Sequence, residues 1–151
     1  MKRLAPLLML LLLTAGCAMP KITVHEDPLT PQEHLDLGVS YEHKEEFELA
    51  EQQYRQATDI PVAWLYLANL AFVRKEWKEA ESLYETAMEK LPDDPRPRNN
   101  LAWLYYTRKQ HLVRAEALAR KAVALAPQKE RADYECTLES VRAARRITDM
   151  K

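Results

Sequence analysis

Four histidines, two cysteines and a few adjacent carboxylates are the side chains of this 151-residue chain that could hold a metal, attack an electrophile or move a proton. His25 is followed by Glu26 and Asp27, His34 and His43 are nine positions apart, and His111 stands well away from the others. No two of them have metal-ligand spacing with a third ligand beside them, so no metal site is expected. Cys136 has no histidine at a distance that would make it a nucleophile, and an inward-facing, packed thiol is expected there. Glu45–Glu46 and Asp93–Asp94 read as turn and helix-start carboxylates, explained by capping and the helix dipole. With only two glycines there is no Gly-rich phosphate loop, so neither a nucleotide nor another cofactor is expected. The chemistry that remains is at Cys17, and the rest of the chain must be read as a binding surface and not as an enzyme.

Cys17 closes a distinctive start. Lys2 and Arg3 precede an almost unbroken apolar run from Leu4 to Leu13, too short for the roughly 20 residues that span a bilayer. The run fits the apolar region of a secretory signal. Its end, Leu13-Thr14-Ala15-Gly16-Cys17, resembles the lipobox of bacterial lipoproteins. The resemblance implies cleavage before Cys17, which then carries diacylglycerol and fatty acyl chains such as palmitate. More than one chain anchors stably. Ala18 is not the Asp that retains such proteins in the inner membrane, so the resemblance implies the outer membrane, facing the periplasm. Residues 1–16 are then a signal peptide. Residues 17–29, with Pro20 and Pro28, are a spacer of the kind that keeps a domain close to a membrane.

The elements that would position a binding surface are helical. Leu, Ala, Glu, Lys, Arg and Gln dominate, and all favour helix. Net charge is -1, with no overall pull toward nucleic acid. The charge is uneven: residues 21–60 hold 10 acidic and 3 basic side chains, residues 94–151 hold 7 and 13. Solvated faces that happen to differ would explain this, and so would a basic end that docks an acidic partner.

Internal periodicity is the main signal. Phe47, Ala50, Tyr54 and Ala57 step by 3, 4 and 3; Trp77, Ala80, Tyr84 and Ala87 repeat the pattern, as do Leu112, Ala115, Ala119 and Ala122. Before each set comes a large-small pair: Leu37-Gly38, Leu67-Ala68 and Leu101-Ala102. Each series marks one face of a helix. The unit is therefore a helix pair, with small residues where the partners approach and bulky residues around them. Thr30-Pro31-Gln32-Glu33 is a capping box, and Pro61 and Pro95 can start later helices.

Together with Trp64, Tyr41 and Pro92, these residues resemble the tetratricopeptide repeat (TPR) family. The resemblance implies an all-α solenoid, a right-handed superhelix of three helix pairs over residues 30–60, 61–94 and 95–128. A capping helix at 129–147 makes seven. It also implies that the first helices line a concave groove that grips a peptide or protein partner, with Tyr66, Asn69, Phe72, Asn100, Trp103 and Tyr106 among the lining. Some members hold a C-terminal carboxylate there. Asn69, Asn100 and Arg131 fall at three such places, whereas Leu65 and Glu135 stand where Lys and Arg are expected. The expectation is a lipid-anchored, non-catalytic adaptor in envelope assembly or secretion. The alternative is an accessory subunit of an envelope peptidase or peptidoglycan enzyme.

Overall fold

The computed structural model describes residues 28–150. The expected signal peptide, Cys17, the expected spacer up to Asp27, and Lys151 lie outside the described residues. Seven helices follow one another: α1 Pro31–His43, α2 Phe47–Gln56, α3 Pro61–Val73, α4 Trp77–Lys90, α5 Pro95–Arg108, α6 Leu112–Leu125 and α7 Arg131–Asp149. No strand occurs among the described residues. No described helix is long and apolar enough to cross a membrane.

Local chemistry sets the helix ends. The Thr30 hydroxyl accepts from the Glu33 backbone N–H at 3.3 Å, and the Glu33 carboxylate accepts from the Thr30 N–H at 2.7 Å. That reciprocal pair satisfies two donors that a helix start leaves open. The bonds from Thr30 also hold the Glu33 carboxyl below its ordinary range. Pro31, Pro61 and Pro95 occupy first-turn positions where a missing N–H costs nothing. Asp94 caps α5 by accepting from the Arg96 N–H at 2.9 Å.

Within each pair the chain reverses through left-handed backbone. Glu45 has φ 61° and Lys75 has φ 62°. In the third pair Lys109 (φ 51°) and His111 (φ 50°) share the reversal, which is how the longer third turn is accommodated. None of the four is glycine, so each carries the left-handed penalty of an L-residue.

The pairs close over small residues. Ala50, Ala68, Ala80, Ala102 and Ala115 are completely buried. Gly38 lies against Tyr54: a Cβ built on Gly38 would sit 2.5 Å from the ring's Cε1. The filling aromatic comes from the second helix in the first two pairs (Tyr54, Tyr84) and from the first helix in the third (Tyr105), with Ala119 in the second. Helices α1–α2 pack into α3 around Leu35, Tyr54, Leu67 and Leu70. A larger core joins α3–α7 around Leu65, Tyr84, Leu101, Leu104 and Tyr105.

A second periodicity holds neighbouring pairs together. Each buried Ala50, Ala80 and Ala115 is followed by a glutamate, and each glutamate lies within ion-pair distance of an arginine from a later element. Arg74, just past α3, donates to Glu51 at 2.5 Å. Arg114 of α6 approaches Glu81 at 3.5 Å and donates to Glu85 at 2.5 Å. Glu116, a nearly buried carboxylate, accepts from Arg120, Arg142 and Arg145 at 2.8, 3.2 and 2.9 Å. Arg145 foremost, then Arg142 and Arg120, hold the Glu116 carboxyl below the ordinary range against the desolvation of its site.

Helix α7 covers α6 and α5 with a stripe of Tyr134, Thr137, Leu138 and Val141. Cys136 corrects the expectation of a packed thiol: it is exposed. It follows Tyr134 by two positions, which turns it about 200° away from the buried stripe.

Candidate functional site

The first helices α1, α3 and α5, joined by α7, provide the face on which the candidate residues lie. Between α3, α5 and the start of α7 is a cavity of about 280 Å³, lined by Tyr66, Asn69, Arg96, Asn100, Asp133 and Tyr134, with Leu65, Asn99 and Glu130 completing it. Tyr66 is held by stacking on Tyr54, with ring centroids 5.1 Å apart. The Arg96 guanidinium folds back on Asp94 through contacts of 2.6–3.0 Å, so much of its charge is already neutralised. Burial raises the Tyr134 phenol, and the Glu130, Asp94 and Asp133 carboxylates raise it further against the Arg96 charge.

Three asparagines form a directed chain across the floor. The Asn69 carbonyl oxygen accepts from both the buried Tyr84 hydroxyl and the Asn100 amide, each at 2.9 Å. The Asn100 amide nitrogen is thereby turned to Asn69, and its oxygen faces the Asn99 amide nitrogen at 3.4 Å. Every amide in the chain points the same way. The Asn99 oxygen is left at the open end, buried and without a partner among the described residues.

The structure thus brings Tyr66, Asn69 and Asn100 to one cavity. Trp103 and Tyr106 lie further along α5 as a tilted pair 4.9 Å apart, and Trp103 is 41% exposed. Tyr106 also lines a second, larger groove with Leu112 and Ile147 beneath the overhanging end of α7. Phe72 packs edge-on against Trp77 at 5.6 Å as part of the core margin. Arg131 reaches the Ala126 carbonyl at 3.4 Å, and its Nε is buried without a partner among the described residues. Sequence reasoning did not assign Asp133 and Tyr134 to this site. They enter because α7 lies alongside α5, which the repeat pattern, ending at α6, does not encode.

Among the described residues no three His, Cys, Asp or Glu side chains gather closely enough to hold a metal. His34 shares a 2.7 Å hydrogen bond with Gln53, and His111 packs edge-on against Tyr105 at 5.2 Å. His25 and Cys17 lie outside the described residues.

Residues 61–104 match the tetratricopeptide repeat family model. The match takes in α3, α4 and most of α5. The whole helical array is a solenoid of the TPR type, as its structural relatives are. PcrH from Pseudomonas aeruginosa superposes with a TM-score of 0.68 at 17% identity, over 78% of this chain and 95% of its own. A T3SS complex from Aeromonas hydrophila gives 0.70 at 18% identity, over 80% and 84%. A CopN–Scc3 complex gives 0.62 at 15% identity, over 86% and 82%. At these identities the likeness is one of fold. No curated protein sequence matches the chain.

Proposed function

We propose that this chain is a non-catalytic scaffold that holds an extended segment of a partner protein along α3, α5 and α7, while a lipid on Cys17 tethers it to the bacterial envelope, at the outer membrane facing the periplasm. The observation that carries the groove reading is Trp103. A TPR-type core has room for large rings, yet this indole stays 41% exposed, paired with Tyr106 and on the same helix as an amide-lined cavity. An aromatic anchor on the helix that carries the amide chain suits an extended peptide, since the ring covers side chains and amides can bond the main chain. Two of the similar structures are themselves complexes, a T3SS complex and CopN–Scc3. The tether rests on the lipobox-like residues alone.

Two variants test the two halves. Trp103→Ala is expected to melt close to wild type, because the indole is partly exposed, and to lower recovery of the crosslinked partner from native envelopes at least about tenfold, as anchor truncations do. Unchanged recovery from a folded variant overturns the groove. Cys17→Ala is expected to leave an uncleaved precursor. A processed, membrane-bound Cys17→Ala protein overturns the tether.

A further inference from the structure

We propose that the cavity between α3, α5 and α7 receives the ammonium group of a lysine side chain carried by the bound segment. This rests on the groove reading and adds the chemistry of what the groove selects.

The cavity is an acceptor site. In the amide chain the Tyr84 hydroxyl and the Asn100 amide both donate to the Asn69 oxygen. In that direction the group left free on Asn99 is its carbonyl oxygen, which calls for a donor from a ligand. A buried acceptor without a partner is costly, and a ligand N–H removes that cost. Of the three charged lining groups two are carboxylates. Glu130 and Asp133 are on the α7 side, and among the described residues Glu130 has only the exposed Lys129 as an ionic partner, at 3.4 Å. The one cation in the lining, Arg96, is folded onto Asp94. Arg131, the cation that would receive a carboxylate, is not among the lining residues and leans on the Ala126 carbonyl. Tyr66 and Tyr134 supply rings, whose faces attract cations.

A volume of about 280 Å³ is at the small end of ligand cavities and suits one side chain, not a cofactor. An ammonium offers three donors, and an acceptor oxygen with two carboxylates can take them. A ligand carboxylate would meet Glu130, Asp133 and the Asn99 oxygen, which repel it.

The experiment uses the full chain in detergent and three peptides capped at both ends: Ac-Ser-Leu-Lys-Leu-Ser-NH2 and its norleucine and glutamate counterparts at the central position. Affinity is measured by titration, and the side-chain amides of Asn69, Asn99 and Asn100 are followed by 15N NMR. The lysine peptide should bind at least about tenfold more tightly than the norleucine peptide, the difference a charge-assisted hydrogen bond provides. It should shift the Asn99 amide, and the glutamate peptide should bind weakest. Asn99→Leu and Asp133→Asn, each checked by thermal melting, should bring the lysine and norleucine peptides to parity. Equal binding of those two to the wild-type protein overturns the ammonium site and leaves the groove reading standing. A preference for glutamate, or a lysine preference that survives in both folded variants, also overturns it. So does the absence of binding and of amide shifts with all three peptides at millimolar concentration. Recovery of the crosslinked partner with Trp103→Ala then decides the groove separately.

Discussion

Gly38→Ala probes the close approach of α1 and α2. The added methyl carbon would lie 2.5 Å from Cε1 and 2.6 Å from Cδ1 of Tyr54, so ring and helix must part by about 0.9 Å to reach ordinary contact. The ring has nowhere to retreat. Tyr54 is fully buried, stacks on Tyr66, and donates its hydroxyl to Glu42. Overpacking of this kind costs about 1–3 kcal/mol, and a ring pinned on two sides belongs at the upper end. Replacing glycine inside a helix returns about 1 kcal/mol. The net expectation is a loss of about 2 kcal/mol, read as a fall of about 6–12 °C in thermal midpoint for a domain of this size. Circular dichroism melts of Gly38→Ala, Tyr54→Leu and the double variant form the test. With the shorter side chain at position 54, the alanine should become neutral or stabilising. A Gly38→Ala protein that melts at or above wild type, or an equal loss in both backgrounds, refutes the account of the contact.

Glu116→Gln keeps the volume but removes the charge that three arginines share. Those arginines are 41–65% exposed and can rehydrate, so the expected loss is about 1–2 kcal/mol by urea denaturation. Because the folded Glu116 carboxyl lies below its unfolded value, its stabilisation is complete above about pH 4.5 and fades as pH falls through the folded value. The wild-type and Glu116→Gln stabilities should therefore converge in acid, and a constant gap between them at all pH values would contradict the clamp. Deleting everything after Pro127 removes Tyr134, Leu138 and Val141 and uncovers Ala122, Ala126 and the α5–α6 core they pack against, including Leu101 and Leu104. At roughly 1.5–3 kcal/mol per lost large apolar side chain this should leave an aggregating or molten product, and a monodisperse fragment with an unchanged midpoint would disprove the capping role. Cys136 should react fully with a thiol reagent in the native protein, with no denaturant required; a thiol that reacts only on unfolding would contradict its exposed position.

How much of this was legible depended on how each feature is written into the chain. The helix pairs were, since Ala50, Ala80 and Ala115 and their partners recur at fixed steps and prolines mark the starts of α3 and α5. That Tyr66, Asn69 and Asn100 share a face was legible because the repeat dictates it. Cys136 was misread because the phase of a single unrepeated helix had to be guessed from few apolar residues. The glutamates after each buried alanine were visible at steps of 30 and 35, but their partners were not. Arg74 ends a first helix, Arg114 begins a second, and Arg145 lies near the end of α7, so the acceptors are periodic and the donors are not. The asparagine chain was out of reach, because amide direction is set by Tyr84 of α4, an element away from the groove.

That mixed periodicity bears on how such an array can be lengthened. Gene duplication copies a segment together with its internal contacts but cuts whatever spans the seam. A duplicate of residues 61–94 inserted after itself would bring a new Arg74-like cation that meets Glu81 in the place of Glu51, but with Lys78 in the place of Glu48. Arg114 would keep its acceptors on the copy that follows. The seam would keep only part of its native pairing, since Glu85 would also stand where Arg55 meets Glu79. A duplicate of residues 95–128 would instead bring an Arg114 that faces an α6-type helix, where Glu116 remains but the position of Glu85 is occupied by Arg120. Both modules thus keep the glutamate that follows the buried alanine, and neither can be multiplied without rewriting a charge at the seam.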